Sequence, residues 1–290
     1  MKVKAAAKIN LMLDVLGVLP NGYHSLFMIM QSVSCYDKVR VDRTNSKQIK
    51  ITTDDLNVPT DEKNIAYKAA KAFFDYNNIK DCGIEIEIEK TIPMAAGLAG
   101  GSADGAAVLF CLNIIFNTAL DIITLCKIGE SVGADVPFSL TGGTSLCMNT
   151  GGVIAPLPAL TDCFIVLCKP PQGVSTVGAY KAIDEAKRLR HADKNTMLYA
   201  MANGDYSLMC EKLNNVFEQV IEVPKRPYIK SEMKRLGADA ALMSGSGPTV
   251  YGIFSSEEKA KACYEKLKNT FDETYLTVPV NKGIEIIQDL

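Results

Sequence analysis

The chain has 290 residues, enough for one large domain or two ordinary ones around a sizeable core. Its 48% hydrophobic and 22% charged residues are typical of a soluble globular protein. A net charge of −2 excludes a broadly basic surface for nucleic acid or anionic lipid, so any anion binding must be local, built from backbone N–H groups and a few cations.

From Val3 to Val18 the pattern is strand-like and ends in the turn Pro20-Asn21-Gly22. Phe27 to Val33, Asp37 to Val41 and Ile49 to Thr52 read as three further strands. Apolar residues at helical spacing (Ile65, Ala69, Ala72, Phe73) predict a helix from Asn64 to Tyr76, and the Ile/Glu alternation of Gly83 to Ile88 predicts a half-exposed strand. Next come the Gly-rich stretch 93–105, the apolar helix that follows it, and a second helix from Asp121 to Val132. Gly142-Gly143 introduces a short strand and Gly151-Gly152 a turn. Pro156-Leu157-Pro158 marks the boundary between two halves, 1–157 and 158–290. Beyond it, strands are expected at 163–167, 240–243, 249–254 and 273–278. Helices are expected at 175–188, 225–236 and 257–268, with short ones between 193 and 222. This irregular mixture favours an α+β chain of two lobes over a doubly wound sheet.

The nine cysteines are odd in number and lack Cys-x-x-Cys spacing, and only two histidines accompany them, so neither a zinc site nor a disulfide framework is expected. Free, mostly buried thiols in a reducing compartment are the simpler reading. The amino terminus runs straight into a strand pattern without a signal-peptide core. The longest apolar stretch, 106–123, is broken by Asn113, Asn117 and Asp121. A cytoplasmic protein with no nucleic-acid or membrane partner is expected.

Pro93-Met94-Ala95-Ala96-Gly97-Leu98-Ala99-Gly100-Gly101-Ser102-Ala103-Asp104-Gly105 is the most informative stretch. Glycine leaves no Cβ in the way and takes positive φ, so successive N–H groups can converge on an anion, and a helix start adds its own unpaired N–H groups. The loop has no Gly-Lys-Ser/Thr ending and no Gly-x-Gly-x-x-Gly, so it is neither a Walker loop nor a dinucleotide fingerprint. Alone, such a cluster is as easily an ordinary strand-to-helix turn.

Four more segments carry polar groups beyond what a core requires. On the opening strand, alternation puts Lys8 and Asn10 on one face and Ile9 and Leu11 on the other; Lys8 is either a solvated edge residue or a cation aimed at a phosphate or a reacting oxygen. Asn21-Gly22-Tyr23-His24 is a turn that either caps the core or offers two rings to a flat ligand. In Gly133-Ala134-Asp135-Val136-Pro137-Phe138, glycine ends a helix and proline is expected to prevent its resumption; Asp135 is a cap, an ion-pair partner or a general base. Met243-Ser244-Gly245-Ser246-Gly247-Pro248-Thr249 is a second glycine loop with hydroxyls to spare.

Together these segments resemble the motifs of the GHMP small-molecule kinases, with Ala7-Lys8-Ile9-Asn10-Leu11 first, the Gly-rich loop central and Met243 to Gly247 third. The five motifs run from residue 7 to residue 249 in the family's order. They are most similar to the branch whose alcohol acceptor carries a cytidyl diphosphate. The resemblance implies a two-lobed α+β fold, with an N-terminal lobe like ribosomal protein S5 and a ferredoxin-like C-terminal, substrate-side lobe. It implies transfer of phosphate from ATP, escorted by Mg2+, to the 2-hydroxyl of a methylerythritol unit in the non-mevalonate route to isoprenoid precursors. Lys8 and Asp135 take the catalytic positions, and Pro93 to Ala103 the ATP phosphate loop, with Asn64 near the nucleotide. Asn10 falls near the substrate diphosphate, and Tyr23, His24 and Tyr180 fall around the cytosine. No protein metal ligand is implied, and the chain is expected to be a monomer or homodimer.

One departure is Ala103, where the family loop carries a second serine; the missing hydroxyl is expected to change ATP affinity modestly. Another kinase of the superfamily, acting on homoserine, mevalonate or a sugar, is opposed by Tyr23-His24 and Gly133-Ala134-Asp135. A catalytically silent ligand sensor on the same fold is opposed by Lys8 and Asp135 together, since a sensor needs no base. His191 and the charged run 187–194 are expected to form solvated surface.

Overall fold

The computed structural model describes residues 1–288. The first half contributes strands β1 (Lys2–Val18), β2 (His24–Thr44), β3 (Ile49–Thr53), β4 (Gly83–Glu89), β5 (Thr144–Asn149) and β6 (Val153–Pro156). Its helices are α1 (Ile65–Tyr76), α2 (Gly100–Ile115), α3 (Ile122–Glu130) and α4 (Val136–Thr141). Beyond Pro156 come β7 (Phe164–Cys168), α5 (Thr176–Glu185), α6 (Lys194–Asn203), α7 (Tyr206–Lys212), β8 (Asn214–Asn215) and α8 (Arg226–Arg235). They are followed by β9 (Ala240–Met243), β10 (Val250–Phe254), α9 (Glu257–Lys268), β11 (Thr274–Thr277) and β12 (Ile284–Ile286).

These strands form two sheets. The larger runs β12-β1-β2-β4-β3, with β5 also on β2, β6 on β5, and β8 parallel to β1. The smaller runs β11-β7-β10-β9, antiparallel throughout. Helices α1 and α2 pack on each other, and α2 lies against β1 and β2. Helices α8 and α9 cover the second sheet, closing a separate core that includes Val166, Met233, Phe254 and Leu267. The result is the two-lobed α+β architecture expected from the pattern. The larger sheet is not assembled from the first half alone, because β8 and β12 return to flank β1.

Three local expectations change. The two strands expected between Phe27 and Val41 are one continuous strand, β2, whose Ser34 and Cys35 bulge opposite the Ala6–Ala7 step of β1. A bulge absorbs an extra pair of residues without ending the ladder, and here it lets β2 pair with β5 at one end and β4 at the other. Pro137 does not prevent a helix; it sits in the first turn of α4, where its missing N–H would have had no helical partner anyway. His191 and Lys194 are not merely solvated. Asp14 on β1 is fully buried and accepts bonds from His191 Nδ1 at 2.9 Å and Lys194 Nζ at 2.9 Å, because a buried carboxylate must be paired.

Strand β12 carried no sequence signal, being only three residues long. It seats because Gly142 and Gly283 meet backbone to backbone: a Cβ on Gly283 would lie 1.9 Å from Ser139 O. Gly283→Ala should therefore cost about 1–3 kcal/mol of stability through overpacking. Gly173→Ala, with nothing within 4 Å of the new Cβ, should leave the thermal midpoint unchanged. Comparing the two denaturation midpoints checks the account.

Candidate active site

Between the lobes lies a cavity of about 1390 Å³, walled by the Gly-rich loop, the Asn21–His24 turn, the segment before α4, and helix α5. The loop follows β4 and feeds α2 directly. Ala95, Gly97 and Ala99 have φ of 49°, 75° and 60°, so left-handed residues alternate with others along it. That alternation turns N–H groups to one side, the geometry of an anion-binding nest. Helix α2 begins at Gly100, earlier than the apolar pattern suggested, and its N-cap Ala99 offers no side-chain acceptor. The first N–H groups of the helix are therefore left for a ligand.

The second glycine loop, 244–247, packs against the first. A Cβ on Gly97 would stand 2.2 Å from Ser244 O, and one on Gly245 would stand 3.0 Å from Gly97 O. Ser244 Oγ donates to Gly97 O at 2.9 Å, and the backbone N–H of Lys8 donates to Leu98 O at 3.1 Å. Asn215 Nδ2 holds the second loop from behind through Met243 O and Gly245 O, each at 2.7 Å. The two loops and β1 thus form one hydrogen-bonded block.

Lys8 is 5% exposed, which removes the reading of a solvated edge residue. Its Nζ donates to Asn10 Oδ1 at 2.8 Å and lies 3.6 Å from Asp135 Oδ2. Asp135 occupies the N-cap position of α4 but makes no capping bond, so its carboxylate, 29% exposed, faces the cavity free of structural duty. Asn10 is fully buried; its Oδ1 also accepts from Gly245 N at 3.0 Å, while its Nδ2 has no partner.

At the turn end of the cavity, the rings of His24 and Tyr180 stack with centroids 4.6 Å apart at 26°. His24 Nε2 lies 2.8 Å from Asp184 Oδ1, four residues after Tyr180 and so on the same face of α5. Burial, with Asp135 nearby, pushes the Tyr180 phenol up to about 12, which keeps that ring neutral. Tyr23 stands at the rim, 66% exposed and without a ring partner among the described residues. Asn64 lines the cavity while capping α1: its Oδ1 accepts from Ala66 N at 2.8 Å, and its Nδ2 donates to Pro59 O at 2.6 Å.

The structure therefore brings Lys8, Asp135, Asn64, Tyr23, His24 and Tyr180 around one cavity together with most of the loop: Pro93, Met94, Ala95, Ala96, Gly97, Ala99, Gly100, Gly101 and Ser102. Leu98, Ala103 and Asn10 are buried and do not line it. Ala103 faces the core of α2, so a hydroxyl there would not be displayed to the cavity, contrary to the reasoning that tied it to ATP affinity. Sequence reasoning missed Asp184, Asn215 and the buried charges Asp37, Lys90 and Asp104. Asp104 was inside the loop string itself, but its charged partners are 14 and 67 residues away.

A glycine-nest loop with an uncapped helix start, facing a lysine and a free carboxylate across a cleft between two α+β lobes, defines a GHMP-type small-molecule kinase. Family models described as "GHMP kinases N terminal domain" and "GHMP kinases C terminal" match residues 64–143 and 197–273. The 4-diphosphocytidyl-2-C-methyl-D-erythritol kinase of Clostridium tetani is 42% identical over 96% of this chain and 99% of its own. A solved 4-(cytidine 5'-diphospho)-2C-methyl-D-erythritol kinase superposes with a TM-score of 0.79 at 28% identity, covering 96% of this chain and 99% of that one. The homoserine kinase of Cytophaga hutchinsonii shares the fold, with a TM-score of 0.78 at 21% identity over 99% and 97% of the two chains. This chain belongs to the 4-diphosphocytidyl-2-C-methyl-D-erythritol kinase family within the GHMP kinases.

The left-handed alanines give a direct check of the loop's conformation. An L-residue at positive φ costs about 1–2 kcal/mol that glycine avoids. Ala99→Gly should therefore raise the unfolding free energy by a fraction of that amount, read by denaturant titration. A loss of stability instead would show that position 99 is not held at φ 60°.

Proposed function

We propose that the protein transfers the γ-phosphoryl group of ATP to the 2-hydroxyl of 4-diphosphocytidyl-2-C-methyl-D-erythritol, a step toward isoprenoid precursors, in the cytoplasm. The observation that carries the reading is Lys8 Nζ 3.6 Å from an uncapped Asp135 in the same cavity as the glycine nest. Phosphoryl transfer to an alcohol demands mostly positioning and charge stabilisation. The nest and the start of α2 would cradle the phosphate chain, with Asn64 beside the nucleotide. Asp135 would accept the proton of the acceptor hydroxyl as its oxygen bonds to phosphorus and the bond to the ADP oxygen breaks.

An ammonium has three N–H donors. In Lys8 one is committed to Asn10 and a second points toward Asp135, which leaves a third for an oxygen of the transferring phosphoryl group. Asn10, expected near the acceptor's diphosphate, would act from behind the cavity wall, through the hydrogen bond its Oδ1 accepts from Lys8 Nζ. Tyr23, His24 and Tyr180 would hold the cytosine by stacking, and Asp184 fixes the orientation of the His24 ring. Mg2+ would arrive with ATP, bound largely by phosphate oxygens and water. When bound, the ion would supply neutralisation of phosphate charge, and the Ser102 hydroxyl on the cavity wall would be the loop oxygen within its reach.

The decisive experiment is a coupled ADP-release assay with the cytidyl diphosphate alcohol, homoserine and mevalonate as alternative acceptors. Release with the cytidyl acceptor alone is expected. Release only with another acceptor, or with none, would overturn the substrate or the enzyme reading. General-base assistance contributes about 10²–10⁴ in rate, so Asp135→Asn should lower kcat by that order while ATP affinity, measured by equilibrium binding, stays near wild type. Stacking on a base is worth about 1–3 kcal/mol, so Tyr180→Ala should raise KM for the acceptor at least about fivefold and leave KM for ATP alone.

A further inference from the structure

Beneath the glycine loop, with Lys90 and Asp104 also bordering the cavity, lies a cluster of buried charges that the chemistry above does not use. Lys90 Nζ bonds Asp37 Oδ2 and, at 2.7 Å, Asp104 Oδ2; the three side chains are 7%, 0% and 3% exposed. Asp37 comes from β2, Lys90 from the end of β4, and Asp104 from the early part of α2. The second oxygen of Asp37 accepts from the backbone N–H of Thr91 at 2.6 Å and of Ile92 at 2.8 Å, the two residues that lead into Pro93. At the other end of the loop, a Cβ on Gly100 would lie 3.4 Å from Lys90 Nζ and 3.0 Å from Ile92 Cγ2, so the helix start rests directly on this cluster. Asp104 Oδ1 has no hydrogen-bond partner.

Two carboxylates around one ammonium, all out of water, are a poor way to stabilise a fold. Replacing such a group with apolar residues of similar volume is often neutral or stabilising. Burial also pushes the Asp104 carboxyl up, as does Asp37, against the opposing pull of Lys90. The arrangement accounts better for geometry than for stability. The seven residues 93–99 span from the backbone pinned by Asp37 to the helix pinned by Asp104, and Lys90 ties the two pins together.

We propose that Lys90, Asp37 and Asp104 are positioning residues that hold both ends of the glycine loop at a fixed separation and so preorganise it for the nucleotide's phosphates. Preorganisation spares the ligand the cost of ordering the loop, so its loss is felt in nucleotide affinity first. This rests on the reading of the loop as the ATP phosphate site.

The test compares purified Lys90→Met, Asp104→Leu, Asp104→Asn and Ser102→Asp by steady-state kinetics on both substrates, with folding checked by circular dichroism and thermal denaturation. Lys90→Met and Asp104→Leu should raise KM for ATP about tenfold or more, with KM for the acceptor little changed. Asp104→Asn keeps an oxygen for Lys90 and should stay within about threefold of wild type. A purely structural role would instead reduce the active fraction, lowering kcat and leaving both KM values in place, and that pattern overturns the proposal. Equal damage from Asp104→Asn and Asp104→Leu overturns it as well. If Lys90→Met does not fold, the Asp104 pair decides. Ser102→Asp separates the two readings by placing a negative charge at the helix start. No rise in its KM for ATP would sink the phosphate-site assignment itself, whereas a rise there with none in Asp104→Leu would sink only the clamp.

Discussion

The contact between Gly97 and the Ser244–Gly245 backbone is the constraint on which the rest of the site depends. Two chain segments 147 residues apart approach so closely that a Cβ on Gly97 would stand 2.2 Å from Ser244 O, and the Ser244 hydroxyl bonds the Gly97 carbonyl across the gap. Because the Lys8 N–H bonds Leu98 O and Asn10 Oδ1 accepts from Gly245 N, strand β1 is locked into the same junction. At this junction the lobes meet backbone to backbone. Hydrogen bonds tie both sides of this wall of the cavity together, and a wall organised in advance is what electrostatic catalysis requires.

The electrostatic design follows from that junction. Lys8 can remain a buried ammonium because Asn10 and Asp135 satisfy it, and Asn10 is held in place by the second loop. Asp135 stays available because α4 starts without using it as a cap and because Pro137 in the first turn reduces the number of N–H groups needing one. The same economy appears at the far end, where Tyr180 and Asp184, one helical turn apart on α5, both address His24. Away from the cavity, Asp14 with His191 and Lys194 shows the ordinary use of a buried carboxylate, stitching β1 to the start of α6.

Much of this was legible along the chain. Repeating apolar patterns located β1, α1, β4 and α9 to within a residue or two, since each is a local element whose period is written in its own residues. Breaks in the pattern misled where tertiary structure absorbed them. The β2 bulge looked like a gap between strands, and Pro137 looked like a stop when it was a start. Ala103 looked like a lost ligand because position in a motif does not say which way a helical side chain points; α2 turns it into the core. Strand β12 and Asn215 were invisible because three residues carry no period and a single asparagine carries no partner.

By itself, the sequence determined the two-lobed α+β class, the glycine loop and the identity of the residues with chemistry to offer, because conformational freedom at glycine and the reactivity of Lys, Asp, Tyr and His are properties of single residues. Only the tertiary structure decided which of these meet. Lys8 and Asp135 are 127 positions apart, and Lys90 finds Asp37 and Asp104 from opposite directions along the chain. Such pairings arise from β1, β2 and α2 sharing one core, and the energy of burying a charge is set by partners that no local stretch of sequence contains.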